Sequence, residues 1–568
     1  MSRLTRRRSA FQLLAVIISI IIISFLSGYI HWRFDLTSEK RYTLSQITKD
    51  QLSELNDIVY IRIFLEGDMP IGLKRMQKSL LETLDEFRIL SKRNIQYELI
   101  NPSKSTKLKE RQTIYNSLYE KGLQPTNIQE SDKEGGKTQK LVFPGALITY
   151  KGKEIALNLL NNNPALSGDE NINLSIQSFE FKFLDAIQKL CTDSLPKMAF
   201  IQGHGELNNY ETGDIERTLS EYYDVYRIEI NGDLNILNPY SVVIVAGPTR
   251  PIPETDKIVL DQYLMSGGKI LWFIDPVTIS IDSLSRGSTT LAFMSDLNLD
   301  DMLFRYGVRL NPVLIQDMQC AVIPVNISLT GQQPRFAPAP WVYYPLLTPL
   351  SNHPVTRNLN LIKAQFVSPI DTVGSNSNIK KRYLLYTSQY SRLLQVPLLV
   401  SLEQINQSPL EREFNISRVP VAVLLEGTFE SVFKNRLLKS YNNGQPFDLI
   451  EKSPLTRMIM VSDAEIIRND VRQRSDGPYV SPLGYDRYTN QTYGNKDLVM
   501  NMVRYLDDNT GMMNLRNRDF KLRLLDKKEI LQSRTKWQVI NLLFPSAILI
   551  IAGIIWHYFR KRKFSKTI

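Results

Sequence analysis

Short apolar runs alternate with helical segments between residues 197 and 276, and this alternation constrains the fold more than any other feature. Wholly apolar strands separated by helices of about ten residues are typical of a parallel sheet covered on both faces. One such helix carries Ile215, Leu219 and Tyr222 on one face, and another begins at Pro253. We therefore predict an α/β fold with a parallel sheet. The predicted strands are the apolar runs Met198–Ile201, Val242–Ala246 and Ile270–Ile274, the strand-like Val225–Ile230 and, much later in the chain, Arg457–Ser462.

Polar turns follow four of these runs. Ligands of parallel sheets bind at the carboxyl ends of the strands, so we expect a site among these turns. Glycines there allow close approach of the backbone to a ligand. The candidate ligand or partner contacts are Gly203, His204, Gly205, Glu206, Arg250, Asp275 and Asp463.

Two interpretations of these turns remain open. His204 could act as a general base with Glu206 nearby, or both residues could shape a tight strand-to-helix turn. Asp275, Asp463 and Glu465, with Glu206, could lie along one edge of the sheet and bind a cation or a basic partner. Acidic residues at strand ends are common without an ion, and we predict no metal site.

Both ends of the chain carry segments long enough to cross a bilayer. Ala10–Ile30 follows four arginines, and Trp537–Phe559 precedes Arg560, Lys561, Arg562 and Lys563. Under the positive-inside rule, both basic clusters stay in the cytoplasm. The residues between the two spans then lie on the opposite side of the membrane. We predict a bacterial inner-membrane protein with two spans, cytoplasmic termini and a large periplasmic part. A cleaved signal peptide is the alternative for the first segment.

The formal net charge of +11 does not indicate nucleic-acid binding, because many basic residues lie at the extreme ends and the others are scattered. The segment Glu134–Thr138 (EGGKT) resembles a phosphate-binding loop, but Ser131 stands where a Walker motif needs its first glycine. Any ATP hydrolysis must then belong to a partner. Cys191 and Cys320 could form a disulfide or remain free thiols.

The residues between the first span and the parallel sheet show the order strand, helix, strand, helix, strand, strand, helix. This order is that of a thioredoxin-like domain, and Pro144 lies where that fold usually has a proline. The chain contains no Cys-x-x-Cys motif, which excludes redox chemistry of that type. The predicted strands are Ile58–Leu65, Ile95–Ile100, Lys140–Tyr150 and Glu154–Leu159, and the predicted helices are Pro70–Lys92, Lys107–Lys121 and Asn173–Leu190.

The remaining predictions concern the later chain. Leu291–Tyr306 and Asn495–Leu506 have helical patterns, and residues 312–443 elaborate the sheet domain. The aromatic stretch Trp341–Pro345 could form an exposed docking surface or pack against the sheet domain. The predicted division is 1–34 (basic tip and first span), 35–192 (thioredoxin-like), 195–510 (α/β domain), 511–536 (amphipathic stalk) and 537–568 (second span and basic tip).

Several segments in this order resemble the GldG family, the gliding-motility-associated auxiliary, or so-called substrate-binding, components of an ABC transporter in gliding bacteria of the Bacteroidetes type. The likeness covers nearly the whole chain, including both spans. The segments are DLTSEKRYTLS, LEGDMP, NLSIQSFEFKFLDAIQKL, FIQGHGE, VVIVAGPTRPIPETDKIVLDQYLMSGGKILWFIDP, MIMVSDAEIIRND, GNKDLVMNMVRYL and LRNRDFKLRLLD.

The resemblance implies a membrane permease (GldF-like) and a cytoplasmic ATPase (GldA-like) as partners, and a role in surface gliding. It also implies a sheet domain similar to the class I glutamine-amidotransferase-like, or flavodoxin-like, fold, which an intraflagellar-transport protein shares. That fold carries its nucleophile on an elbow flanked by glycines, whereas the corresponding strand here runs into Asp275-Pro276. We therefore expect a non-catalytic protein without a cofactor. The alternatives are a membrane-tethered protein that binds a small solute, or a hydrolase that uses His204 and Glu206.

Overall fold

A computed structural model describes most of the chain, in two compact units that comprise residues 1–518 and 519–568. The described residues are 15–20, 43–131, 137–161, 166–192, 194–280, 283–284, 287–326, 328, 333, 335–350, 352–374, 378–406, 409–436, 448–475, 477–517 and 527–564.

The described elements confirm the alternation of strands and helices. The helices are α1 (Gln46–Ser53), α2 (Ile71–Leu90), α3 (Leu108–Glu120), α4 (Gly168–Cys191), α5 (Gly213–Leu219), α6 (Glu254–Met265), α7 (Asp300–Tyr306), α8 (Asn495–Asp507) and α9 (Lys527–Phe564). The first strands are β1 (Val59–Ile63), β2 (Ile95–Leu99), β3 (Thr126–Ser131), β4 (Lys137–Val142), β5 (Gly145–Tyr150), β6 (Lys153–Asn158), β7 (Lys197–Gln202), β8 (Asp224–Glu229), β9 (Val242–Ala246) and β10 (Lys269–Phe273). The later strands are β11 (Val277–Thr278), β12 (Thr289–Met294), β13 (Val308–Leu310), β14 (Val313–Asp317), β15 (Cys320–Asn326), β16 (Phe336–Pro349), β17 (Ile362–Lys363), β18 (Ile370–Thr372), β19 (Ile379–Tyr386), β20 (Ser391–Gln395), β21 (Leu398–Ser401), β22 (Pro420–Gly427), β23 (Thr456–Val461), β24 (Val471–Arg474), β25 (Gly477–Val480), β26 (Tyr485–Asp486) and β27 (Gln491–Thr492).

The first sheet has the strand order β2-β1-β5-β6, in which β1 and β2 are parallel and the other neighbours are antiparallel. The predicted apolar face of α2 is buried, as its period of 3.6 residues requires. The prediction of one strand over Lys140–Tyr150 is wrong. The ladder is interrupted at Phe143-Pro144, where proline offers no N–H, and β4 pairs with β3 in a separate hairpin.

The second sheet contains the predicted parallel core. Strands β8, β7, β9, β10 and β23 are parallel neighbours in that order, and every residue of Val242–Ala246 is buried. Strands β22, β19, β16 and β15 continue the same sheet with antiparallel pairing. The region predicted as an elaboration therefore extends the sheet directly. The result is a mixed α/β fold with parallel and antiparallel strands.

The helix predicted over Leu291–Tyr306 is wrong in its first half. Thr289–Met294 is strand β12, which pairs with β21 and β11, and only Asp300–Tyr306 is helical. Along β12 the side chains alternate between faces: Thr290 and Ala292 are buried, whereas their neighbours are exposed. A period of two residues indicates a strand, and apolar residues on the exposed face concealed it.

Of the two interpretations of Trp341–Pro345, the packed one is confirmed. Trp341 and Tyr343 are 2% and 0% exposed. Their rings contact Phe366 at centroid distances of 5.5 and 5.9 Å. This stretch lies in β16 and belongs to a buried cluster, so it is no docking surface.

One hydrophobic core in residues 1–518 contains side chains from both sheets, among them Ile61 of β1, Phe183 of α4, Phe200 of β7 and Met502 of α8. Arg504 of α8 also forms an ion pair with Asp185 of α4. The helices α4 and α8 therefore form a seam between the two sheets. The boundary predicted near residue 193 stays a prediction.

The unit 519–568 consists, where described, of the helix α9. Its segment Ser533–Arg562 is long and apolar enough, by length and composition, to cross a membrane. Pro545 lies inside α9, and the residue with non-helical backbone angles in this helix is Ser533.

Other predictions fall wholly or partly outside the described residues. Of the first predicted span only residues 15–20 are described, and they are helical. Residues 134–136 of the phosphate-loop-like segment and residues 518–526 of the predicted stalk are outside. Cys191 and Cys320 do not form a disulfide.

Candidate functional site

His204 lies directly beyond the end of β7 and is held by two carboxylates. Its Nδ1 is 2.9 Å from Oε1 of Glu206, and its Nε2 is 2.9 Å from Oδ2 of Asp256 in the first turn of α6. The backbone N–H of His204 also donates to Oε2 of Glu206. The side chains of His204 and Glu206 are 5% and 1% exposed. The imidazole is therefore a buried link between the turn and α6.

The electrostatics of this link favour the charged imidazole. Burial alone lowers the pKa of His204, but the hydrogen bonds and charges of Asp256 and Glu206 outweigh it and raise the pKa to about 9. An imidazolium with both N–H groups donated to carboxylates has no lone pair to accept a proton. His204 is therefore poorly suited to act as a general base at neutral pH.

The crevice beside His204 is filled by the protein's own loops. Strands β8 and β9 lie on opposite sides of β7, which makes the carboxyl end of β7 a topological switch point where such sheets usually bind ligands. Here the N–H groups of Thr249 and Arg250 donate to the carbonyl of His204 at 3.0 and 2.9 Å. A Cβ added to Gly205 would lie 2.1 Å from Oγ1 of Thr249. The two loops therefore close the switch point.

The predicted residues of this turn have different positions. Gly203 and Gly205 have φ angles of 113° and 78°, which L-residues with side chains rarely adopt. The Arg250 side chain is exposed. Of the predicted contacts, the side chains of His204 and Glu206 are thus brought together. Arg250 contributes its backbone N–H group to the loop contacts that fill the switch point.

A second cluster forms at the ends of the neighbouring strands β10 and β23. Oxygens of Asp275, Asp463 and Glu465 all lie within 4.8 Å of one another. Oδ1 of Asp275 accepts the N–H of Ala464 at 2.8 Å, and Asp463 accepts the N–H groups of Glu465 and Gln365 at 2.8 and 2.9 Å. Parallel pairing of the two strands brings their carboxyl ends, and so these carboxylates, together.

Burial and mutual repulsion disfavour ionisation of this cluster. Burial first, and then the charge of Glu465, raise the pKa of Asp275 well above its ordinary value. Burial, with the charges of Glu465 and Asp275, does the same for the pKa of Asp463. Carboxyl groups in this arrangement can share protons or surround a cation.

Glu465 also lines a cavity of about 540 Å³ at the same edge of the sheet. Several charges in its wall neutralise one another. Lys363 Nζ is 2.8 Å from Oδ2 of Asp486, and an Arg468 guanidinium nitrogen is 2.7 Å from Oε1 of Glu211. The cavity is accordingly polar, with paired charges in its wall.

Sequence reasoning missed one partner of His204, the carboxylate of Asp256. Asp256 lies 52 residues beyond His204, in the first turn of the helix that follows Pro253. Acidic residues are common in the first turn of a helix. Nothing in the local pattern marked it. Glu465 was expected beside Asp275 and Asp463 along one edge of the sheet, and the parallel pairing of β10 with β23 brings these three carboxylates together.

The protein has a mixed α/β fold and, among its described residues, one helix, α9, that is long and apolar enough to cross a membrane. The edge of its larger sheet carries a buried ionic link at His204. Residues 195–502, just over half of the chain, match the family of auxiliary components described as "ABC-type uncharacterized transport system". The chain belongs to this family. Residues 38–149 match a domain of unknown function, DUF7088.

Two further similarities were found. An uncharacterized protein of Borreliella burgdorferi (strain ATCC 35210 / DSM 4680 / CIP 102532 / B31) is 20% identical over 550 residues, which cover 94% of each chain. A solved structure, the mmIFT52 N-terminal domain, is 13% identical with a TM-score of 0.32, and the match covers 55% of this chain and 97% of that one.

Proposed function

We propose that this protein is a non-catalytic, membrane-anchored component of an ABC transporter complex that couples the permease and the ATPase to partners across the membrane. The observation that carries the proposal is the family match over residues 195–502. The helix α9, which ends in Arg560, Lys561 and Arg562, supports anchoring with the C-terminus in the cytoplasm.

The geometry of the β7 turn supports a non-catalytic role. His204 is occupied by two carboxylates, and loop contacts fill the switch point beside it. A hydrolase built on His204 and Glu206 would need a neutral imidazole facing a substrate. The described residues offer a charged and buried imidazole instead.

We also propose that the chain is a member of the GldG family with a role in gliding motility. In this proposal two spans cross the membrane, both termini lie in the cytoplasm and the large unit is periplasmic. The proposed partners are GldF-like and GldA-like proteins. The segments quoted above support it. The strand order β2-β1-β5-β6 supports a thioredoxin-like first domain, and the run of five parallel strands supports an amidotransferase-like second domain.

The test is affinity purification of the full chain from membranes in a mild detergent, followed by identification of the retained proteins. The proposal expects an ABC permease and its ATPase in stoichiometric amounts. A parallel purification of an unrelated anchored protein from the same membranes controls for carry-over. Absence of both transporter proteins from the purified material would contradict the proposal.

Binding of a small solute at the strand ends is the second candidate, and the cavity of about 540 Å³ beside Glu465 favours it. Cavities of roughly 300–1,000 Å³ hold small molecules. If the cavity is such a site, ligand binding will weaken in a Glu465→Gln variant, whereas an Arg250→Ala variant at the closed switch point will bind normally.

A further inference from the structure

A separate cleft lies at the seam between the two sheets, between helices α4 and α8. This α4–α8 cleft has a volume of about 630 Å³ and is lined by Phe181 and Lys182 of α4, Asp497 and Asn501 of α8, and Arg516. A volume of this size accommodates an amino acid or a short peptide. Nothing in the proposed coupling role depends on this cleft.

The cleft contains opposite charges that do not pair with each other. Its described ionisable side chains are Lys182, Asp497 and Arg516. Among the described residues, Asp497 and Arg516 form no ion pair within 4.0 Å. Asp497 lines the cleft, and burial raises the pKa of its carboxyl group above the ordinary value. The charges of Asp497 and Arg516 nevertheless act on each other across the cleft. A cation and an anion are thus presented separately to the same space.

Arg516 is held in place by its neighbours. Its guanidinium donates to Oδ1 of Asn501 and, at 3.1 Å, to the carbonyl of Arg357. It also lies over the ring of Phe181 at 5.5 Å. A guanidinium carries five N–H donors, so a fixed Arg516 retains donors for a carboxylate. Burial first, and then the charge of Arg504, lower its pKa to about 10, which leaves it charged at neutral pH.

Lys182 has a different role, because its ammonium group is already saturated. It donates to the carbonyls of Asn158 and Leu159 at 3.0 and 3.1 Å and to Oδ1 of Asn161 at 2.7 Å. Burial first, and then the charge of Arg516, lower its pKa to about 7. Lys182 therefore fixes the loop after β6 and adds only part of a positive charge. The net charge of the cleft is therefore close to zero, and its positive and negative groups are separated from each other.

Amide groups supply the remaining polar lining. Seven of the lining side chains are asparagine or glutamine, and Tyr493 and Phe181 add aromatic surface. A side-chain amide both donates and accepts hydrogen bonds, as a peptide group does. A lining of this composition suits a ligand with peptide groups better than a purely anionic one.

We propose that the α4–α8 cleft binds a zwitterionic solute, an amino acid or a short peptide, with its carboxylate at Arg516 and its ammonium group at Asp497. The amide side chains contact the groups between these two ends. The position of the cleft at the seam of the two sheets means that both α4 and α8 contact the bound solute.

The test uses the full chain in detergent and three probes: triglycine, N-acetyl-triglycine and triglycine amide. Calorimetry measures the affinity of each. Triglycine carries both charges, whereas each of the other probes lacks one. We expect triglycine to bind tightest. An Asp497→Asn variant, which alters no hydrogen bond in the described structure, should weaken triglycine binding roughly 10- to 100-fold.

The control is Asp224→Asn, which removes an exposed carboxylate at the start of β8, outside the cleft. It should bind triglycine as the unmodified chain does. Equal binding of triglycine and N-acetyl-triglycine, with no effect of Asp497→Asn, would indicate a site for a simple anion. That result would overturn the proposal. No binding of any probe at about 1 mM would overturn it as well, without affecting the proposed coupling role.

Discussion

The Nε2 atom of His204 lies 2.9 Å from Oδ2 of Asp256, so the end of β7 is joined to the first turn of α6 by a buried ionic hydrogen bond. The same imidazole is bound by Glu206 on its other side. A turn that resembles a reactive site in the sequence is therefore a structural link.

The His204→Ala variant should be strongly destabilised. It leaves the buried carboxylate of Glu206 and that of Asp256 without their cation, which typically costs about 3 kcal/mol or more. The thermal midpoint of the full chain in detergent measures the effect. Arg250→Ala, which removes an exposed side chain one loop away, is the control and should change stability by less than about 0.5 kcal/mol. Equal midpoints for the two variants would show that the link contributes nothing.

The contribution of His204 should depend on pH in a defined direction. Because its pKa is raised from 6.5 to about 9 in the folded protein, the stabilisation is fully present below pH 6.5 and is lost as the pH rises through 9. The difference in thermal midpoint between the unmodified chain and His204→Ala should thus be largest at pH 6 and shrink towards pH 10. A difference that grows with pH would contradict a charged imidazole.

The Asp275→Asn variant should be more stable than the unmodified chain at high pH. The amide keeps an oxygen for the N–H of Ala464 and removes one charge from the cluster. Because the folded-state pKa values of Asp275 and Asp463 are raised, ionisation destabilises the fold as pH rises above the ordinary carboxyl range. The advantage should be small near pH 4 and reach about 1 kcal/mol or more by pH 8.

Thermal unfolding of both chains across this pH range measures the advantage, and Asp224→Asn controls for the loss of one acidic group. If a bound cation stabilised the cluster, the order would reverse, and Asp275→Asn would be the less stable chain at pH 8.

The two glycines of the β7 turn should differ in their tolerance of alanine. A Cβ at Gly205 meets Oγ1 of Thr249 at 2.1 Å, whereas a Cβ at Gly203 has no neighbour within 4 Å. Both positions have positive φ angles, which alone cost about 1 kcal/mol in alanine. Gly205→Ala should therefore lower the thermal midpoint more than Gly203→Ala. Adding Thr249→Ala to Gly205→Ala should restore part of the lost thermal midpoint. If it does not, the contact with Thr249 is not the cause of the loss.

Much of the architecture could be predicted because its physical signals are local. Val242–Ala246 and Ile270–Ile274 are apolar on every residue, as strands covered on both faces must be. The buried face of α2 shows its helical period. These signals lie within a few consecutive residues, so a sequence pattern can reveal them.

The parts that were not predicted depend on contacts between distant residues. The partner of His204 on α6 is ordinary in its local setting. Arg516 and Asp497 line the same cleft only because residues 512–517, which follow α8, pack against α4. Strand β12 was taken for a helix because its exposed side chains, such as Leu291 and Phe293, are apolar. A small sheet beside the main one can leave such residues at the surface, which breaks the usual relation between hydropathy and burial.

The exposed side chain of Cys191 allows a direct measurement of the proposed position of the large unit, across the membrane from the ATPase. Cells with opened outer envelopes are treated with a membrane-impermeant maleimide, and the labelled chain is quantified before and after lysis. Burial first, and then the charge of Asp317, raise the pKa of Cys320 to about 11, so Cys320 should react slowly, and a Cys191→Ser variant measures that background. With the large unit in the periplasm, Cys191 should be fully labelled before lysis. Labelling of Cys191 only after lysis would show that the large unit is in the cytoplasm.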